Sequence, residues 1–257
     1  MSRNFGAAAG DYASYRVGFP NSLFQRLRAF GVGRPDQWIV DLGTGTGTLA
    51  RGFAVNGSRV IGVDPDERLM AEARRLDQAA GVDVEYRTGT AETIPVDNDT
   101  ADVVAAGQCW HWFNGKEAAR EISRVVKAGG YVVVANFDWL PLPGSVVEAT
   151  ERLIESHNPD WHMGGGNGFH PESIADLWSH GFSEFESFSY DLDVHYTPDA
   201  WRGRIRASAG VGASLKPDAV EAFDNDLAQL LKSGFDAEYL QVPHRVFAIV
   251  GLKKVGG

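Results

Sequence analysis

The stretch Gln37-Trp38-Ile39-Val40-Asp41-Leu42-Gly43-Thr44-Gly45-Thr46-Gly47 decides the fold. An apolar run that ends at a glycine cluster reads as a buried parallel strand opening into a turn. Gly47 to Val55 then reads as a helix. A glycine-rich turn at such a junction lets the backbone approach a ligand and aims helix N-terminal amides at it.

The same rhythm continues outward. Arg59 to Asp64 (RVIGVD) reads as a second strand. Asp66 to Ala80 reads as a helix with Leu69, Met70, Ala73 and Leu76 on one face and Gly81 as its stop. Val84 to Thr88 and Ala101 to Ala106 are the third and fourth strands. A helix over Gly115 to Lys127, stopped by Gly129-Gly130, leads to the strand Tyr131 to Asn136 (YVVVAN). Strands alternating with helices give βαβ units, a parallel sheet, and ligands at the carboxyl ends of its strands. Later, Ser145–Ser156 and Pro171–His180 read as helices, Glu184–Leu192 and Val242–Leu252 as strands, and Thr197–Ser233 as two helices. The glycine-rich Met163–Gly168 reads as a loop able to act as a lid. With no repeat or linker, residues 1–257 are expected to form one domain. Its parts are an N-terminal arm (1–34), a ligand-binding core (35–137), and a remainder (138–257) with insertions at about 138–170 and 193–241.

Lys plus Arg number 24 against 34 Asp plus Glu, a formal charge of −10, and no basic run is present. Nucleic acid is therefore a poor partner, because its affinity rests on neutralising phosphates. The single Cys109 forms no intrachain disulfide, which suits a reducing compartment. No secretory signal and no apolar run of ~18 residues is evident, so a cytoplasmic protein without a membrane partner is expected. Oligomeric state has no signature.

Two ligand classes use a strand–glycine–helix junction. The dinucleotide fingerprint is G-x-G-x-x-G. Here the glycines are Gly43, Gly45 and Gly47, and Thr48 stands where the third dinucleotide glycine belongs. Asp41, two residues before Gly43, would repel a pyrophosphate and favours a cationic ligand. S-adenosylmethionine carries an ammonium and a sulfonium. Asp64 ends the second strand, where its carboxylate can accept bonds from both hydroxyls of an adenosine ribose.

These residues resemble the class I S-adenosylmethionine-dependent methyltransferases, type 11, and the small-molecule subgroup related to trans-aconitate methyltransferases. Asp41-Leu42-Gly43-Thr44-Gly45-Thr46-Gly47 resembles the first family motif, and Val60-Ile61-Gly62-Val63-Asp64-Pro65 the second. Gly89-Thr90-Ala91-Glu92-Thr93-Ile94-Pro95 resembles the third, which implies Ala91 and Glu92 at the adenine. Asp102 to Phe113 resembles the fourth, which implies Gln108, Trp110, His111 and Trp112 at the active-site mouth. Tyr12, Tyr15 and Arg16 resemble an N-terminal arm that folds over the cofactor, with Val17 where the family has Pro. The resemblance implies a Rossmann-like, doubly wound α/β fold with a mostly parallel seven-stranded sheet, an antiparallel last strand, and helical cap insertions.

Methyl transfer from S-adenosylmethionine, leaving S-adenosylhomocysteine, depends mainly on holding nucleophile, methyl and sulfur in line. His111 is the candidate base, or a residue that positions the acceptor. Arg16 can pair with the cofactor carboxylate. Tyr12, Trp110, Trp112, Asp138, Trp139, Trp161 and His162 are candidate acceptor contacts, and an aromatic mouth suits a planar or apolar small molecule. His157, His162 and His170 are spaced unlike metal ligands, so no metal is expected. Three other functions stay open: methyl-ester formation on an aconitate-like carboxylate, a non-catalytic S-adenosylmethionine sensor, and a nicotinamide-dependent reductase. Arg202, Arg204 and Arg206 serve carboxylates only if their helix faces the acceptor.

Overall fold

Ile39, Val40 and Leu42 of β1 (Trp38–Leu42) are buried although they alternate between faces, as a central parallel strand requires. The structure, a computed structural model, describes residues 17–254. β1 lies parallel between β2 (Arg59–Asp64) and β4 (Ala101–Gly107). β3 (Glu85–Thr88) pairs in parallel with β2, and β5 (Val126–Trp139) with β4. β6 (Phe182–Tyr196) and β7 (Leu240–Lys253) complete a seven-stranded sheet of order β3-β2-β1-β4-β5-β7-β6.

The last strand runs against both its neighbours. Val132 of β5 meets Gly251, whereas Leu140, just past β5, donates its N–H to Pro243 O. Phe185 of β6 also meets Gly251, whereas Asp191 pairs with Arg245. A mostly parallel α/β sheet with an antiparallel last strand is thus the observed fold.

The helices are α1 (Asn21–Ala29), α2 (Thr48–Val55), α3 (Glu67–Ala80), α4 (Gly115–Val125), α5 (Val146–His157), α6 (Ser173–Trp178), α7 (Pro198–Arg206) and α8 (Pro217–Gly234). Asp66 caps α3 by accepting the Arg68 N–H, and Gly81 ends it at φ 68°. Two expectations change. α4 stops at Val125 and β5 begins at the next residue, so the paired glycines do not end a helix. Gly129, at φ 73°, lies instead where β4 advances from Ala101 to Val103 while β5 advances from Val126 to Tyr131. The second change concerns the arm. Leu23 and Leu27 of α1 are fully buried, and Phe24 meets Phe53 edge-on at 5.2 Å. Residues from Asn21 onward are core rather than arm, and Tyr12, Tyr15 and Arg16 lie outside the described residues.

The chain separates into two compact units. One contains Gly18–Phe137, His170–Ser189 and Val246 onward, and with them β1 to β4 and the glycine turn. The other contains Asp138–Phe169 and Tyr190–Arg245, with α5, α7 and α8. Among the described residues no helix is long and apolar enough to cross a membrane.

Candidate active site

The carboxyl ends of β3, β2, β1 and β4 stand side by side in the sheet, and each carries one piece of the site. After β1 the turn bends through three left-handed glycines, Gly43 (φ 60°), Gly45 (φ 55°) and Gly47 (φ 75°). A non-glycine residue pays steric strain in that region. Gly47 is also the N-cap of α2. The three glycines face different surroundings. A Cβ on Gly43 would stand 2.9 Å from Cys109 Cβ, and one on Gly47 2.4 Å from the Tyr86 hydroxyl oxygen. A Cβ on Gly45 would meet nothing within 4 Å among the described residues. The backbone of the turn is therefore open at Gly45 among those residues.

Asp41 is 1 % exposed and sits beneath the turn. Its Oδ2 accepts the Thr44 hydroxyl at 2.7 Å and the Ala50 N–H of α2 at 3.1 Å, while Oδ1 has no hydrogen-bond partner among the described residues. Thr44 thus turns inward onto Asp41. Burial pushes the Asp41 carboxyl up to about 7, against the two hydrogen bonds, with Asp64 adding to the rise. The carboxylate that its sequence position suits to a cationic ligand is thus buried and half-satisfied.

A consequence for pH follows. The Asp41 carboxyl titrates higher in the folded chain than in the unfolded one, so the folded state holds the extra proton between about pH 4 and about pH 7. Its contribution to stability is full below pH 4 and is lost as pH rises to about 7. Asp41→Asn keeps the acceptor oxygen without the charge. Denaturant unfolding of the ligand-free chain should show the variant gaining on the parent as pH rises from 4.5 to 7.5. The differential is at most about 4 kcal/mol at ~1.4 kcal/mol per unit, and a pH-independent difference would refute the buried-charge account.

Asp64, at the end of β2, accepts the Gly45 N–H at 2.9 Å through Oδ2 and the Asp66 N–H at 2.8 Å through Oδ1. Burial raises its pKa and these two backbone bonds lower it. A carboxylate has about four acceptor sites, so lone pairs remain on both oxygens. Pro65 beside it is exposed. The Gly89 N–H donates to Asp64 O at 3.3 Å, which ties the loop after β3 to the same place. In that loop Ala91 is buried, and Glu92 Oε1 accepts the Asn114 N–H at 2.9 Å.

Gln108, the residue after β4, has φ 56°, a strained backbone for a residue with a side chain. Its N–H donates to Ala135 O at 2.9 Å and its Nε2 to Phe137 O. Cys109 Sγ donates to Leu42 O at 3.1 Å, which clasps this segment to the glycine turn. Trp110–Trp112 then form one 3-10 turn. His111 and Trp112 are exposed, with ring centroids 4.5 Å apart. Trp110, partly buried, packs against the core and meets Phe113 edge-on at 5.9 Å.

Sequence reasoning missed the brace behind the turn. Asp77 of α3 accepts Arg51 Nη1 and the Tyr86 hydroxyl, both at 2.7 Å, and Arg51 Nη2 donates to Thr46 O at 2.9 Å. The available signal was position: Asp77 continues the buried stripe Met70–Ala73 of α3.

In the second unit, Trp139 donates Nε1 to Glu151 Oε1 at 2.8 Å, and Asp138 beside it is partly buried. Trp161 is buried against Gly164 and Gly210, and His162 is exposed. His157 contacts Asp226 at 2.9 Å.

The turn's donor set fits one of the two ligand classes. Around Gly45 stand two buried carboxylates, one with an orphaned oxygen, and no cation appears among the groups that shift either. Such a field repels a pyrophosphate and suits an ammonium, a sulfonium and a ribose diol. Comparison with known proteins agrees. Residues 40–134 match the family model described as a methyltransferase domain. An uncharacterized methyltransferase of Schizosaccharomyces pombe is 30% identical over 238 residues, covering 91% of this chain and 89% of that one. The chain belongs to the class I S-adenosylmethionine-dependent methyltransferases, type 11. An uncharacterized methyltransferase of Mycobacterium tuberculosis is 35% identical over 131 residues, 51% of this chain and 50% of that one. The methyltransferase thus spans about half the length of such mycobacterial relatives. The crystal structure of the YcgJ protein of Bacillus subtilis shares the fold at a TM-score of 0.58 and 19% identity, covering 92% of this chain and all of that one. S-adenosylmethionine is the cofactor of this family, so the nicotinamide alternative falls away.

Proposed function

We propose that this methyltransferase moves a methyl group from S-adenosylmethionine to an O, N or carboxylate atom of a small molecule. The observation that carries the proposal is the pairing of an exposed His111–Trp112 turn with a strained Gln108 next to the glycine turn. The cofactor supplies a methyl on a positively charged sulfur, which leaves with the bonding electron pair as a neutral thioether. Gly45 gives the backbone access, Asp64 accepts the ribose hydroxyls, and Asp41, whose carboxyl the cationic cofactor draws toward its ionised form, adds negative charge from below. Ala91 and Glu92 flank the adenine, and Gln108 shapes the floor after β4. His111 positions the acceptor and takes its proton where the nucleophile carries one. Trp112 offers an apolar face to a planar or apolar acceptor. Tyr12, Tyr15, Arg16, Trp110, Asp138, Trp139, Trp161 and His162 remain proposed contacts.

Incubation of the chain with methyl-labelled cofactor and small-molecule extract should label compounds that pass a dialysis membrane. Label confined to macromolecules, or cofactor binding without any transfer, would overturn the proposal, the latter in favour of a sensor. Once an acceptor is found, His111→Gln should lower kcat about 10- to 1000-fold if the histidine accepts a proton, and flatten the acid limb of the pH profile. A rise in KM alone would assign His111 to positioning.

A further inference from the structure

Three arginines on α7 alternate along the chain, and their environments differ. Arg202 holds Asp224 through Nη2–Oδ2 at 2.5 Å and Asp199 at 3.1 Å, and Arg206 holds Asp224 Oδ1 at 2.9 Å. Both charges are therefore balanced by carboxylates. Arg204, two residues from each and so on the other side of the helix, has no carboxylate within ion-pair distance among the described residues. Its guanidinium carbon lies 4.7 Å from the centroid of the Trp139 ring, and it hydrogen-bonds with Tyr196. The Trp139 ring is fixed from two sides, by Nε1 on Glu151 Oε1 and by an edge contact with Trp201 at 5.5 Å. Tyr196 meets Trp201 at 5.3 Å and stacks near His244 at 6.3 Å.

A guanidinium in such an aromatic setting costs desolvation, which a ring face and one phenol only partly offset. Burial accordingly pushes the Arg204 pKa down, and the charge of Arg204 helps to hold buried His244 neutral. Asp138 is near enough to act on Arg204 electrostatically. Its negative charge repels a dianionic phosphate more strongly than a monoanionic carboxylate. A planar guanidinium pairs with a carboxylate through two parallel hydrogen bonds.

We infer that Arg204, on the face of Trp139 and beside Tyr196, is a binding site for the carboxylate of a small organic acid. Binding of the acid does not depend on the methyl-transfer reading. The apolar rings beside the guanidinium favour an acid with a flat or apolar body.

The test uses the full chain, with benzoate, hexanoate and succinate as probes and benzamide and inorganic phosphate as controls, read by calorimetry. At least one acid should bind saturably, with benzamide and phosphate at least tenfold weaker. Arg204→Gln should weaken that acid at least tenfold and leave S-adenosylhomocysteine affinity within about twofold. Tyr196→Phe, which keeps the ring, should weaken it several-fold, so the idea remains testable should Arg204→Gln fail to fold. No binding by any of the three acids overturns the inference, as does equal binding of phosphate or an acid affinity indifferent to both substitutions. Loss of S-adenosylhomocysteine binding in the parent chain would instead overturn the cofactor assignment.

Discussion

Asp64→Ala is expected to weaken S-adenosylhomocysteine binding about a hundredfold or more. The ribose diol offers two hydroxyl donors to a buried carboxylate, and hydrogen bonds to charged groups contribute about 1.5–3 kcal/mol each. Two such bonds correspond to at least about two decades of affinity. The substitution also strips acceptors from the Gly45 and Asp66 N–H groups, so the turn loses its tie to β2. Asp64→Asn keeps one carbonyl acceptor and should retain an intermediate affinity. Calorimetry on the three proteins measures this directly, and equal affinity for Asp64→Ala and the parent would place the diol elsewhere.

Gly45→Ala and Gly47→Ala should fail in different ways. Both replace a left-handed glycine, at a cost of about 1 kcal/mol from the backbone. At Gly47 the new methyl also collides with the Tyr86 hydroxyl at 2.4 Å and crowds Ala73 Cβ at 3.2 Å. Tyr86 is bonded to Asp77, which is bonded to Arg51, so the brace has to move as a unit. Overpacking of this kind adds about 1–3 kcal/mol, and the total should lower the unfolding midpoint markedly. At Gly45 the methyl enters space empty of protein atoms among the described residues. Stability should fall only by the backbone cost, while cofactor affinity drops at least tenfold because the methyl occupies the ligand's approach. Denaturant melts and cofactor titrations on both variants separate the two effects. A Gly45→Ala protein with parental affinity would show that the ligand does not approach there.

The parallel sheet was legible because its central strands β1, β2 and β4 are largely apolar and buried on both faces and end at turn residues. The left-handed turn through Gly43, Gly45 and Gly47 and the place of Asp64 at the end of β2 were legible because both are set by where a strand stops. What lay beneath the turn was not. Nothing in a linear sequence says that Asp41 faces inward, that Thr44 turns onto it, or that Cys109 clasps Leu42 from 67 residues away. The tryptophans show the same limit. Trp110, Trp112 and Trp161 have one composition and three fates: packed on the core, 46 % exposed, and buried beneath two glycines. Arg204 was indistinguishable from Arg202 and Arg206 until Asp224 took the other two. The segment Lys127–Gly130 misled because glycines after a helix usually end it, whereas here a register shift with β4 uses them.

The place of β7 bears on how the chain is born. β5 is complete at Trp139, yet its neighbour starts at Leu240 and must insert between β5 and β6. At roughly 5–20 residues per second of synthesis, the edge of β5 stays bare for about 5–20 s after it leaves the ribosome. An unpaired edge recruits other strands. Newly made chains are thus most vulnerable to sticking together before their last segment emerges, and a nascent chain cut short before Leu240 would keep that hazard for good.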